Sequence, residues 1–384
     1  FPTLALGRGS ALNGPALALS QGESAHKEAN MVKFVIKRLL MIIPTLLVVS
    51  LAVFLLCNIT PSDPGRIKLG VDAPQEAVDQ INHELGYDRP LLVRYGMWVW
   101  DALHGDFGTS YYTNRNVFTE LLARFPYTLK LALLGLISAI IAGIPLGVLC
   151  AVKQYSIADY TLSTLAMFLA AMPVFWISLL LLLQFSMNLG WFPSNGVSDG
   201  WRSWVLPTIP LTVGYGAGYL RYTRTAMLDT IRQDYIRTAR AKGCGEQTVI
   251  WKHAFRNSLM TVVTITGMSF AGLLGGAFVI EDVFSINGLG MMGVTAITRK
   301  DMPQILASLL AIGTMFLIVM VIIDVLYAVL NPRIRSMYSS GGKKRRKSAA
   351  AVVSVDPDTL ADPAMPDWSQ ENLALLRNGG VNHG

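Results

Sequence analysis

The chain has 384 residues, of which 52% are hydrophobic and 15% charged, and its formal net charge is +7. This composition excludes a disordered chain, and the apolar residues gather in uncharged blocks of about 20, the length that spans a bilayer. The class is an all-α polytopic membrane protein. Its positive charge, carried by inter-helix loops and the KKRRK run at 343–347, is topology information and requires no nucleic acid.

In chain order, residues 1–30 are rich in Ala, Gly, Leu and Ser and read as a flexible extension ahead of a start at Met31. The first span falls within 31–60. Its basic flank imitates a signal peptide, but the apolar run 39–59 is too long and lacks a small-x-small exit. Residues 61–127 form a folded extracytoplasmic segment. There Asp72 is expected to cap a helix that carries Val78, Ile81 and Leu85 and stops at Gly86, and Pro90 opens a second amphipathic stretch through Trp98 to Leu103. The pair reads as a small helical lid or dock.

The membrane core is predicted over 128–335, with further spans at 131–151, 165–187, 203–220, 259–280 and 305–323, making six in all. Pro207, Pro210, Gly214, Gly216 and Gly218 dilute the fourth. Such a helix is tolerated where neighbours or a watery cavity satisfy the freed backbone groups, so it either packs tightly or lines a pathway. Residues 336–384 read as a disordered basic tail.

Lys and Arg near the span ends set the orientation. One side holds Lys33, Lys37, Arg38, Lys153, Arg232, Arg237, Arg240, Lys242, Lys252, Arg256, Arg333 and Arg335, whereas the opposite short loops hold only Arg202, Arg299 and Lys300. Both termini are therefore expected in the cytoplasm. The outer segment from Thr60 to Tyr127 has nine acidic against six basic residues, in agreement with that sign. Cys57, Cys150 and Cys244 fall in separate compartments on this topology and have no metal-ligand spacing, so neither a disulfide framework nor a metal is expected.

No G-x-x-x-x-G-K-[ST] phosphate loop occurs, so the chain does not hydrolyse ATP in the usual way, and no HExxH or His cluster suggests a metal enzyme. Intramembrane ionisable groups mark ion-coupled carriers. The one deep acid here is Asp324, which reads as a satisfied or snorkelling group rather than a relay.

The most informative segment is the 38-residue loop that starts at Arg221, between the fourth and fifth spans. Ile231, Tyr235 and Ala239 are expected on one helical face, with Arg232, Arg237 and Arg240 off it. Gly243, Cys244 and Gly245 then break the helix, and a second short helix places Val249, Ile250, His253 and Ala254 on one side. Two such helices either lie in the lipid headgroups or form a knob for a groove on a soluble partner. Gly243 bears on the choice, because a glycine there lets the chain reverse with positive φ and a partner approach the backbone. His253 reads as a helix-surface residue, since no second metal-binding side chain accompanies it.

These residues resemble the integral-membrane permeases of binding-protein-dependent ABC importers, in particular the dipeptide/oligopeptide (DppB/OppB-like) branch. That family's cytoplasmic motif is Glu-Ala-Ala, three residues, Gly, nine residues, then Ile-x-Leu-Pro. Here Arg237, Thr238 and Ala239 stand at Glu-Ala-Ala, Gly243 keeps the glycine, and His253, Ala254, Phe255 and Arg256 replace the ending. The strings RLLMIIPTLL, ITPSDP, LGYDRPLLVRYGMW, GDFGTS, PVFW, NLGWFP, EDVFSINGLG and KDMP extend the resemblance over nearly all of 31–335, with Asn287 where the family pattern has Pro.

The resemblance implies a type I ABC importer permease fold (MetI-like), no cofactor and no catalysis of its own. It also implies a second permease subunit, two cytoplasmic ATP-binding subunits and an extracytoplasmic solute-binding protein. Arg237, Thr238, Ala239, Arg240, Gly243 and His253, within a loop at 225–258, are the implied ATPase-coupling residues. Peptides are the implied cargo, with nickel, glutathione or another small solute as alternatives. From the residues alone, a membrane scaffold that recruits a soluble partner without transport, and an ion-coupled carrier, are the competing classes.

Overall fold

The computed structural model describes residues 14–59 and 63–330. The expected tail at 336–384 lies outside them. Among the described residues every regular element is helical, and the single bridge joins Thr109 to Asn116. Helix α1 (Gly14–Ile59) takes in backbone that the sequence assigned to an extension, and its far half is the first span. Leu40, Val48 and Leu56, eight residues apart, are 60%, 68% and 65% exposed along it, an apolar stripe that suits acyl chains.

Helices α2 (Pro64–Leu69), α3 (Gln75–Glu84) and α4 (Leu91–Leu103) form the segment after the first span. Asp72 does not cap α3. Pro74 occupies that position without a side-chain cap, because Pro fixes the extended entry two residues later than the sequence suggested. The capping aspartate is instead Asp63, which accepts from the Arg66 amide at the start of α2 and from Asn82 Nδ2 of α3. Gly86 at φ +70° turns the chain after α3, as expected. Helix α4 docks on α1: the Tyr95 hydroxyl donates to the Leu47 carbonyl at 3.0 Å and lies 2.9 Å from Ser50 Oγ, and its ring meets Phe54 edge-on.

Helix α5 (Val117–Val152) is capped by Asn116, so the second span starts well before the predicted 131. The predicted third span is broken rather than straight. Helices α6 (Ile157–Ala171) and α7 (Val174–Leu181), the latter continuing as π-turns over Leu182–Asn188, meet at 98°. Pro173 causes the break: it lacks an N–H and forces Met172 into the extended region, φ −77°, ψ 133°.

The predicted fourth span is α8 (Arg202–Ile231). Among the described residues three helices are long and apolar enough to cross a membrane, or up to five if each bent pair is one span, and α8 is not among them. Its place is set by packing. Gly135, Ala139, Gly143, Gly147 and Ala151 recur every fourth residue on α5, and α8 lies directly on that strip. A Cβ on Gly147 would sit 2.6 Å from the Leu220 carbonyl oxygen, and one on Gly143 would sit 2.8 Å from Tyr219 Cβ and closer still to the Gly216 carbonyl. Small residues that let backbones touch are how helices associate in lipid, where the hydrophobic effect between them is absent.

Beyond the loop described below, α9 (Asp234–Ala241) and α10 (Glu246–Thr248) precede α11 (Arg256–Val283), α12 (Leu289–Arg299) and α13 (Met302–Leu330). Helix α12 was not foreseen, although Leu289, Met292 and Ala296 are buried at helical spacing. Asp324 of α13 is satisfied as read: Arg38 Nη1 of α1 lies 2.9 Å from its carboxylate.

A fully buried acid holds the far end of the bundle. Glu281 of α11 accepts from Thr128 Oγ1 of α5 at 2.5 Å and from the Met291 amide of α12 at 3.1 Å, and Thr128 Oγ1 in turn accepts from the Leu289 amide at 2.7 Å. The carboxylate thus fills the N-terminus of α12. Both glycines of the Gly-Leu-Gly string are required by it. A Cβ on Gly288 would meet the Glu281 carboxyl group, and one on Gly290 would lie 2.7 Å from Phe278 Cα. Asn287 is exposed beside this turn, so Asn in place of Pro leaves the staple intact.

Candidate functional site

The loop predicted to carry the chemistry is a compact knob. Helix α8 ends at Ile231, Arg232 and Gln233 reverse the chain with Gln233 extended (ψ 149°), and α9 starts at Asp234. This break resets the helical phase, so the expected face of Ile231, Tyr235 and Ala239 does not form. The buried pair is Ile236 and Ala239, while Tyr235 is 44% exposed and its hydroxyl accepts from Asn257 Nδ2.

Gly243 adopts φ +78°, and its amide donates to the Arg240 carbonyl at 2.9 Å. Open space surrounds the place a Cβ would take, so this glycine is required by conformation and not by crowding. From Glu246 the chain is helical again. It passes through a π-helical stretch at Val249–Phe255 and enters α11 without a break, so the predicted second short helix is the first part of the fifth span. Val249, Ile250 and Ala254 are buried there as expected, and His253 is half-buried.

The inner face of the knob is fused to the bundle. Ile236, Ala239, Val249, Ile250 and Ala254 pack with Met227 of α8 and with Val148 and Ala151 of α5 in one apolar cluster. The outer face is polar. Arg237 is 77% exposed, with Asp234 a distant 3.8 Å partner, and Thr238 Oγ1 only donates back to the Asp234 carbonyl. Of the six predicted residues, then, Arg237 and Thr238 face out, Ala239 faces in, Gly243 makes the turn and His253 flanks it.

Arg240 is committed internally. Its Nε and Nη2 donate to the two carboxylate oxygens of Glu246 at 3.1 and 2.6 Å, clamping the Gly243 turn. The guanidinium holds the Glu246 carboxyl below its ordinary value of 4.5. A depressed carboxylate contributes stability above that value and loses it as pH falls through the lowered one. Hydrogen exchange of the α9 and α10 amides, normalised to their intrinsic exchange rates at each pH, is therefore expected to quicken as pH falls below the ordinary carboxylate value, and Glu246→Gln is expected to remove that dependence.

One pair here escaped the sequence reading. Arg224 of α8 grips Asp159 of α6 through Nε and Nη2 at 2.6 and 2.7 Å, with Asp159 1% exposed. Asp159 also accepts from the Tyr155 amide, and Ser156 Oγ accepts from the Asp159 amide. A Ser-x-x-Asp helix start is visible at 156–159, and it was the signal available. The pair joins α6 to α8, the helix on which the knob is built.

A family model described as binding-protein-dependent transport system inner membrane component matches residues 143–336, and its N-terminal companion matches 31–132. The chain belongs to this family and is a permease subunit of a binding-protein-dependent ABC importer, without catalysis of its own.

A protein of Brucella abortus (strain 2308) named as a peptide transport system permease is 40% identical over 313 residues, covering 79% of this chain and 99% of the relative. The glutathione transport system permease protein GsiC of Salmonella typhi is 39% identical over 305 residues, with the same shares. An inward-facing structure of the MetNI methionine ABC transporter aligns with a TM-score of 0.47 and 19% identity, over 55% of this chain and 96% of that chain.

Proposed function

We propose that this subunit carries short peptides across the plasma (inner) membrane of a prokaryote, with both termini in the cytoplasm. An extracytoplasmic solute-binding protein delivers the cargo, a second permease subunit completes the pathway, and two cytoplasmic ATP-binding subunits drive it. The cargo reading rests on the relatives: one is named for peptide and another for glutathione, itself a tripeptide.

The observation that carries the coupling mechanism is the two-sidedness of α9. Its Ile236–Ala239 face is buried against α5 and α8 while Arg237 and Thr238 stand free for a partner. A helix welded to span ends transmits rigid-body motion, and an ATP-binding subunit with different affinity for two bundle states shifts their balance. Arg237, Thr238, Ala239, Arg240, Gly243 and His253 constitute this coupling element.

Gly243→Val tests it. A β-branched residue at φ +78° costs at least about 1–2 kcal/mol and displaces the turn. In the reconstituted transporter this variant, and Arg237→Glu on the exposed face, are expected to lose both peptide uptake and co-purification of the ATP-binding subunits. Retained association together with retained uptake in both variants would remove the knob from the coupling mechanism. A scaffold without transport would instead show no uptake in the wild type.

A further inference from the structure

The strings LGYDRPLLVRYGMW and GDFGTS are not used by the coupling mechanism, yet they build the walls of one cavity of about 430 Å³ at the end of the bundle away from the knob. Phe54, Tyr87, Tyr111 and Met302 form its apolar and aromatic sides. Arg94, Trp98 and Asp101 enter it from α4. Their spacing of four and three residues puts them on one helical stripe, with the Arg94 and Asp101 α-carbons about 10 Å apart along the axis at 1.5 Å per residue.

Both charges are unneutralised: among the described residues neither Arg94 nor Asp101 forms an ion pair. The Arg94 guanidinium carbon lies over the Tyr87 ring, 3.7 Å from its centroid. The buried Trp98 Nε1 has no hydrogen-bond partner among the described residues. A buried indole N–H usually has one. Asp101 and Asp106 stand at the exposed mouth, with one Asp106 oxygen accepting from the Gly108 amide at 2.8 Å.

A cation and an anion that line one aromatic-walled space of this size without pairing complement a short zwitterion. We propose that this cavity is a receiving site for the termini of a short linear peptide. The carboxylate is bound by Arg94 and the ammonium by Asp101, with Asp106 beside it. The proposal rests on the peptide-importer reading and places the first contact of cargo with the permease in the segment after α1.

The test uses the complete transporter in nanodiscs without its binding protein, titrated calorimetrically with trialanine, N-acetyl-trialanine and trialanine amide. Arg94→Gln is expected to weaken trialanine binding roughly 10- to 100-fold, the range for a hydrogen bond to a charged group, and to leave binding of the amide at the wild-type level. Asp101→Asn is expected to weaken trialanine similarly and to leave the N-acetyl peptide unaffected. Because each variant is checked with a ligand that lacks the matching charge, a folding defect shows itself as loss of both.

Absence of trialanine binding to the wild type, unchanged affinity in both variants, or equal loss for all three ligands would overturn the site. Uptake of trialanine by the full system, measured in parallel, separates this from the importer reading. Uptake with no binding here overturns the site alone, whereas binding without uptake overturns the importer reading alone.

Discussion

Gly143→Val is expected to separate α5 from α8 and to prevent assembly of a stable bundle. The added side chain meets backbone, the Gly216 carbonyl, and Tyr219 Cβ at 2.8 Å. Neither can rotate away as a side-chain tip does. Overpacking that neighbouring side chains can absorb costs about 1–3 kcal/mol. Here the helices themselves must move apart, so the loss is expected to exceed about 3 kcal/mol. Thermal unfolding in detergent, followed by loss of monodispersity, should show a large drop for Gly143→Val. Gly275→Ala has open space around its Cβ and should stay close to wild type. A Gly143→Val protein as stable as Gly275→Ala would mean that α5 and α8 do not touch along this strip.

Glu281→Ala is expected to detach α12 from the rest of the bundle. Removing the carboxylate orphans the buried Thr128 hydroxyl and the Met291 amide, and an unsatisfied buried donor costs about 1–3 kcal/mol. With the cavity left behind, the loss should reach about 4–6 kcal/mol. Glu281→Gln separates charge from shape. Both carboxylate oxygens accept from donors, so a Gln must turn its NH₂ toward one of them and forfeit that bond. A loss of about 1–3 kcal/mol is expected for Gln. Hydrogen exchange of the α12 amides should report both variants, fast in Ala and intermediate in Gln. Wild-type protection of α12 in Glu281→Ala would show that the acid does not hold it.

Features carried by local composition were legible in the residues. The apolar runs that became α1, α5 and α13 are long enough to announce spans without a partner. Gly86 and Gly243 were readable as turns because only glycine takes positive φ at no steric cost, and both do. The single acid in the last span was read as a satisfied or snorkelling group, and Arg38 lies beside it. The permease class was likewise readable, from an ordered set of short strings spread over most of the chain.

Two errors arose where one residue redirects a helix. Periodicity continued through Arg232 and Gln233 put Tyr235 on the buried face, but the chain turns there and the phase restarts, which buries Ile236 instead. The third span was drawn straight through Pro173, whose missing N–H bends it by 98°. The signal was present in the second case and was given too little weight.

By itself the sequence determined the chemistry of the solvent this protein lives in and the places where only glycine could turn its helices. Tertiary structure alone decided that α8, a span diluted by Pro and Gly in the sequence, runs against the glycine strip of α5. It also decided that Glu281 reaches the amides of α12, that Arg224 finds Asp159 across 65 residues, and that Arg94 and Asp101 share a cavity without neutralising each other. The physical reason is the same for each. Apolar length and backbone φ preference are properties of a segment and its neighbours in sequence, whereas close backbone approach and the pairing of buried charge depend on which surfaces meet once the helices have packed.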